Sequence, residues 1–135
     1  SDPPPHRLTT LSIPLLRALL PDTLPTRLRL TDHLLTSLDP LCSYPGLAST
    51  LVKLDCSRNS LRTLDVSSLT SLRILIALDN PLSSFSALAL PPSLARLALS
   101  GSPDPKSVPD LLARCPDLKE LQVTGWSEAD ADAAL

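Results

Sequence analysis

The residues of this chain able to do chemistry are few: two histidines, three cysteines and some clustered carboxylates. Acid–base or nucleophilic catalysis needs a nucleophile and a base held within hydrogen-bond reach. His6 lies in a proline-rich leader and His33 at a turn, and neither has a candidate nucleophile beside it. Cys42, Cys56 and Cys115 are odd in number and far apart, which makes neither a disulfide framework nor metal-ligand spacing. Asp104 with Asp110, and Glu128 with Asp130 and Asp132, read as solvated turn, helix-cap and tail residues. Gly46, Gly101 and Gly125 are the whole glycine complement, so no phosphate-cradling loop is readable. The expectation is a chain that is not an enzyme, with no cofactor and no metal. Binding is the chemistry left, and its residues must be placed by the chain's repeating elements.

Those elements follow from one spacing. Leu51–Asn59 reads L-x-x-L-x-C-x-x-N, and Leu72–Asn80 reads L-x-x-L-x-A-x-x-N. Leu94–Ser102 repeats the frame with serine at the ninth place. Upstream, Leu28, Leu30, His33, Leu35 and Leu38 occupy the places of Leu54, Cys56, Asn59, Leu61 and Leu64. Downstream, Leu118, Leu121 and Val123 restart it. The second apolar position falls at Leu28, Leu54, Leu75, Leu97 and Leu121, in steps of 26, 21, 22 and 24 residues. This resembles a leucine-rich repeat array, in which each unit is a short strand plus a return segment. One unit cannot bury its own apolar side, so neighbours stack and their strands form a parallel sheet.

The resemblance implies an α/β fold: a leucine-rich repeat solenoid with a short curved parallel sheet of five or six strands and helical or irregular caps. Leucines at positions one, four and six point inward, and leucine makes up about a quarter of the chain. Asn59 and Asn80 turn the chain out of the strand and satisfy backbone groups of adjacent repeats. The organisation read from the sequence is a leader and cap over 1–24, repeats over 25–50, 51–71, 72–93 and 94–106, a C-terminal cap over 107–126 and a tail over 127–135. The long first step predicts a loop insertion at Asp39–Thr50, marked by Pro40, Pro45 and Gly46. Leu15, Leu16, Leu19 and Leu20 predict an N-terminal helix, preferred to a strand through Leu8, Leu11 and Ile13. Ser107 and Asp110 predict the start of a C-terminal helix with a stripe of Leu111, Leu112 and Cys115, stopped by Pro116. A strand over Leu118–Val123 follows, and Trp126 is expected to cover the last repeat.

Net charge is −2, and no apolar run is long enough to span a bilayer. Neither nucleic acid nor membrane is therefore an expected partner. Only Tyr44, Phe85 and Trp126 are aromatic, which removes the stacking platforms of single-strand binders. The opening Ser-Asp-Pro-Pro-Pro does not read as a signal peptide, and the missing initiator methionine marks a trimmed chain. Unclustered cysteines favour a reducing compartment. The expected location is cytoplasmic or cytoskeletal, with cilium or flagellum as one setting and the nucleus left open.

Leu97–Gly125 reads L-A-L-S-G-S-P, then a helix ending L-L-A-R-C-P-D-L-K-E-L-Q-V-T-G. It is similar to the end of intracellular leucine-rich repeat proteins with repeats of about 22 residues and a C-terminal cap. That family includes phosphatase-1 regulatory, dynein light chain and spliceosomal A-prime proteins. The resemblance implies a partner protein held on the concave face, by positions three, five, seven and eight of each repeat. In the third repeat these are Ile74, Ile76, Leu78 and Asp79, with Arg29, Lys53, Asp55, Arg58 and Arg96 around them. An apolar centre with a charged rim is the anatomy of a binding patch. The same run also fits a strand covered by the chain's own N-terminal segment, or an idle patch. Ala98, Ser100 and Gly101 offer either close approach to a partner or a tapering end. The expected function is a non-catalytic interaction module, an adaptor or scaffold. A regulatory subunit of a phosphatase or motor, or a ribonucleoprotein component of the A-prime type, are the alternatives.

Overall fold

The computed structural model describes residues 12–20, 22–82, 88–100 and 108–124. Its centre is a five-stranded parallel sheet in the order β1-β2-β4-β6-β7. The strands are β1 (Arg27–Arg29), β2 (Lys53–Asp55), β4 (Ile74–Ala77), β6 (Arg96–Ser100) and β7 (Glu120–Thr124). A second, two-stranded parallel sheet pairs β3 (Leu64–Asp65) with β5 (Leu88–Ala89) on the return segments. The helices are short: α1 (Ile13–Leu19), α2 (Asp39–Cys42), α3 (Leu47–Thr50) and α4 (Val108–Arg114). The protein is thus mixed α/β.

Register in the main sheet follows the sequence frame residue for residue. Leu28 pairs with Leu54, Leu54 with Leu75, Leu75 with Leu97 and Leu97 with Leu121. Leu54, Leu75 and Leu97 are wholly buried, while Leu28 and Leu121 at the sheet's two edges are half-buried. Leu51, Leu72 and Leu94 form a second fully buried row one turn behind. The return segments add Leu61, Leu64, Val66 and Leu69 to the same core. Alternation along a strand sends one face into this core and leaves the other outward.

α1 begins at Ser12, whose hydroxyl accepts the Leu15 N–H at 3.2 Å. Proline in its first turn fits there, because that N–H needs no helical partner. The helix buries Leu16 against the core. The candidate strand residues Leu8 and Leu11 lie outside the described residues.

The expected loop at Asp39–Thr50 is instead two one-turn helices, α2 and α3. Leu41 and Leu47 explain the difference: both are fully buried, and helical turns aim both at the core. Gly46 joins the helices at φ +82°, a left-handed conformation that L side chains rarely adopt. A Cβ there would sit 2.8 Å from Leu24 Cδ1. Gly46→Ala is therefore expected to lose about 1–2 kcal/mol of stability, measured by denaturant unfolding. Equal stability of the variant would show that this junction adapts freely.

α4 starts at Val108, and Pro116 follows its end. Leu111 and Cys115 are fully buried, but Leu112 is 45% exposed, so the expected three-residue stripe is a two-residue one. Ser107, Ser102, Phe85 and Trp126 lie outside the described residues. Among the described residues no helix is long and apolar enough to cross a membrane.

Candidate functional site

The outward face of the main sheet carries Arg29, Lys53, Asp55, Ile74, Ile76 and Arg96 of the residues singled out in the sequence, and Gly101 lies outside the described residues. Lys53 and Asp55 of β2 stand in register with Ile74 and Ile76 of β4, which stand in register with Arg96 and Ala98 of β6. Arg29 of β1 pairs with Asp55. Leu78 and Arg58 lie in the turns that end their strands, where the Arg58 N–H donates to the Leu78 carbonyl at 2.8 Å. Ile74, Ile76 and Leu78 are half-buried. They keep part of their surface in solvent and make a short aliphatic strip down the middle of the face. Beside it, a hollow of about 510 Å³ is lined by Ile76, Leu78, Ala98, Glu120 and Gln122, among others. Of the N-terminal segment considered as a cover, residues 1–11 lie outside the described residues, and α1 packs Leu16 into the core.

The turns that close this face are built by the asparagines. Asn59 Oδ1 accepts the Leu35 N–H at 3.2 Å. Its Nδ2 donates to the carbonyls of Leu30 at 2.7 Å, Cys56 at 2.9 Å and Ser57 at 3.2 Å, two protons shared among three acceptors. Asn80 repeats the geometry one repeat later. Its Oδ1 accepts from Leu61 N at 3.1 Å, and its Nδ2 donates to Cys56 O at 3.0 Å and Leu78 O at 3.1 Å. Each buried amide therefore ties its own turn to the preceding repeat. Asp32, Arg58 and Asp79, one place before this position, all have positive φ, between 54° and 62°. Reading the asparagine as the turning residue missed this left-handed step. Its sequence signal was Gly101 and Gly125 at the same place in the later repeats, since glycine takes positive φ freely.

Two of the expected rim cations are already paired. Arg58 grips Asp32 with two hydrogen bonds, at 2.5 and 3.0 Å. The Arg58 hydrogen bonds hold the Asp32 carboxyl below its usual range and push the guanidinium up. Arg96 grips Glu120 in the same forked way, at 2.7 and 3.1 Å. Asp55 accepts the Ser57 N–H at 3.1 Å, which stiffens the turn after β2. By contrast, Arg27, Arg29 and Lys53 form no ion pair among the described residues.

The small outward residues are not offered to a partner. Ser57, Ala98 and Ser100 are buried, at 2%, 7% and 9% exposure. The Ser57 hydroxyl accepts the Leu78 N–H at 3.1 Å, and the Ser100 hydroxyl accepts the Asp79 N–H. The serines at position seven thus extend the backbone ladder where the strands end, which sequence parity alone could not reveal.

The cysteines are free thiols. Burial pushes the Cys56 thiol up to about 12. Burial also raises Cys42 and Cys115. A raised thiol is a poor nucleophile at neutral pH. His33 sits half-buried at the turn after β1. Among the described residues, no group of three or more histidines, cysteines and carboxylates could hold a metal ion. Comparison with protein-family models, with curated proteins and with solved structures found no match.

Proposed function

We propose that the chain is a leucine-rich repeat solenoid of the short-repeat, intracellular kind, working as a non-catalytic protein-interaction module. Its partner protein docks on the outward, concave face of the five-stranded sheet. The observation that carries this reading is the strip of Ile74, Ile76 and Leu78, half-exposed on a face whose neighbours are charged. Strand side chains left in water are ordinarily polar, so three aliphatic residues in line mark surface that another molecule covers. The solenoid reading is supported by the in-register leucine rows and by the repeated asparagine bridges between successive repeats. A reducing, cytoplasmic or cytoskeletal setting is supported by three cysteines that are all free.

The test is a double substitution, Ile76→Asp with Leu78→Asp. Apolar anchors at the centre of an interface are often worth about 2 kcal/mol or more each. The variant is expected to lose the proteins that the wild-type chain retains from native lysate, while its thermal unfolding stays cooperative. An unfolded variant would place these side chains in the core. A folded variant that retains the same partners would move the binding site off this face.

A further inference from the structure

The parallel register does something to the charges that no single repeat foretells. The backbone carbonyl at position two of each repeat accepts N–H groups from positions two and three of the next. Thr26 serves Val52 and Lys53, Val52 serves Arg73 and Ile74, Arg73 serves Ala95 and Arg96, and Ala95 serves Lys119 and Glu120. These bonds line up the five strand starts along one edge of the outward face. Each start contributes one base: Arg27, Lys53 and Arg96 at position three, and Arg73 and Lys119 one residue earlier, at position two, where Ile74 and Glu120 hold the outward place. At a strand spacing near 4.8 Å the row is about 19 Å long.

The row has one counter-charge within the sheet, Glu120 on Arg96. Arg27, Lys53, Arg73 and Lys119 form no ion pair among the described residues. Arg27 and Lys53 face each other directly in register, a placement that works against the sheet. Two shallow hollows run along this edge. One, of about 260 Å³, is lined by Arg27, Leu28, Arg29 and Lys53 together with Asp55. The other, of about 250 Å³, is lined by Arg73, Arg96 and Lys119, by Glu120 paired with Arg96, and by Val52, Ile74 and Ala95. The opposite edge, at the strand ends, is weakly acidic in the first three repeats, with Asp32, Asp55 and Asp79 against Arg29 and Arg58. The face is therefore polarised across the strands: basic at the starts, aliphatic in the middle, weakly acidic at the ends.

We infer that the occupant of this face is an acidic, partly apolar protein segment laid across the strand starts, its carboxylates on Arg27, Lys53, Arg73 and Lys119 and its apolar side chains against Ile74 and Ile76. This rests on the reading of the face as a partner site and adds the partner's chemistry. An extended segment of about six residues spans the row. A nucleic-acid strand fits worse. Its backbone would gain nothing from the weakly acidic strand ends across a narrow sheet, and its bases would find aliphatic side chains where stacking needs aromatic ones.

The test uses fluorescein-labelled peptides of equal length, one alternating Glu and Leu, one alternating Lys and Leu, together with oligothymidylate, read by anisotropy. The wild-type chain is expected to bind the Glu–Leu peptide about tenfold or more tightly than the Lys–Leu peptide, with affinity falling as salt rises. Arg27→Glu, Arg73→Glu and Lys119→Glu combined alter only exposed side chains without ion pairs among the described residues. That variant is expected to melt like wild type and to lose about tenfold or more of the Glu–Leu affinity. Equal affinity for the two peptides, no binding of either, or an unchanged triple variant would overturn the inference. Tighter binding of oligothymidylate would overturn it in favour of a nucleic-acid surface. The Ile76→Asp, Leu78→Asp variant separates the two readings. If it loses binding while the triple variant does not, the face stands and its charge preference falls. If neither change matters, both fall.

Discussion

Leu75→Ala is expected to cost roughly 2–5 kcal/mol and to lower the melting temperature by about 10 °C. Leu75 is fully buried in the middle strand, in register with Leu54 on one side and Leu97 on the other. Both neighbours are themselves fully buried and held by backbone ladders, so the surroundings cannot collapse into the space left behind. The half-buried end positions supply an internal comparison. Leu121→Ala opens onto solvent and is expected to cost less than half as much. Equal losses at the two sites would mean that the sheet is no stiffer in its middle than at its edge.

Asn59→Ala is the second large effect. The substitution removes the acceptor of the Leu35 N–H and the donor to the Leu30 carbonyl, in a site only 9% exposed, while the Cys56 carbonyl keeps Asn80 as a donor. Each backbone group left buried without a partner costs about 1–3 kcal/mol, so a loss of about 3 kcal/mol or more is expected. Asn59→Asp sharpens the test. It keeps the acceptor for Leu35 but turns a carboxylate towards the carbonyl oxygens of Leu30, Cys56 and Ser57. At neutral pH it is expected to be at least as damaging as alanine, and to recover partly in acid, where the protonated carboxyl regains one donor. Chemical denaturation at two pH values measures both. An aspartate variant as stable as wild type would mean that the donor side of the bridge contributes little.

The inner rows of the sheet were legible because a short strand obeys a local rule. Side chains alternate, so the L-x-x-L-x-[LAC] spacing names its own buried side, and Leu54, Leu75 and Leu97 are where it put them. The asparagine bridges were legible for a related reason. A buried amide three or four residues beyond a strand end has backbone groups to satisfy, and few residue types offer a donor and an acceptor together. The outward positions of Ile74 and Ile76 follow from the same alternation, which also set the candidate site.

What the sequence determined alone was therefore local: which residues face inward, where strands stop, and which side chains turn the chain. The tertiary structure decided everything that depends on how one repeat closes onto the next. The pairing of β3 with β5 joins residues 24 positions apart on segments whose own pattern is weak. Arg58 with Asp32, and Arg96 with Glu120, meet across 26 and 24 positions. The burial of Ser57 and Ser100 depends on a backbone N–H delivered by another repeat, 21 positions away. The row of bases exists only because five strand starts are brought level by hydrogen bonds between repeats of unequal length. The repeat frame named which residues come level, but the physical alignment of the strands is tertiary. It is settled by which stacking buries the most leucine while leaving no backbone group unpaired.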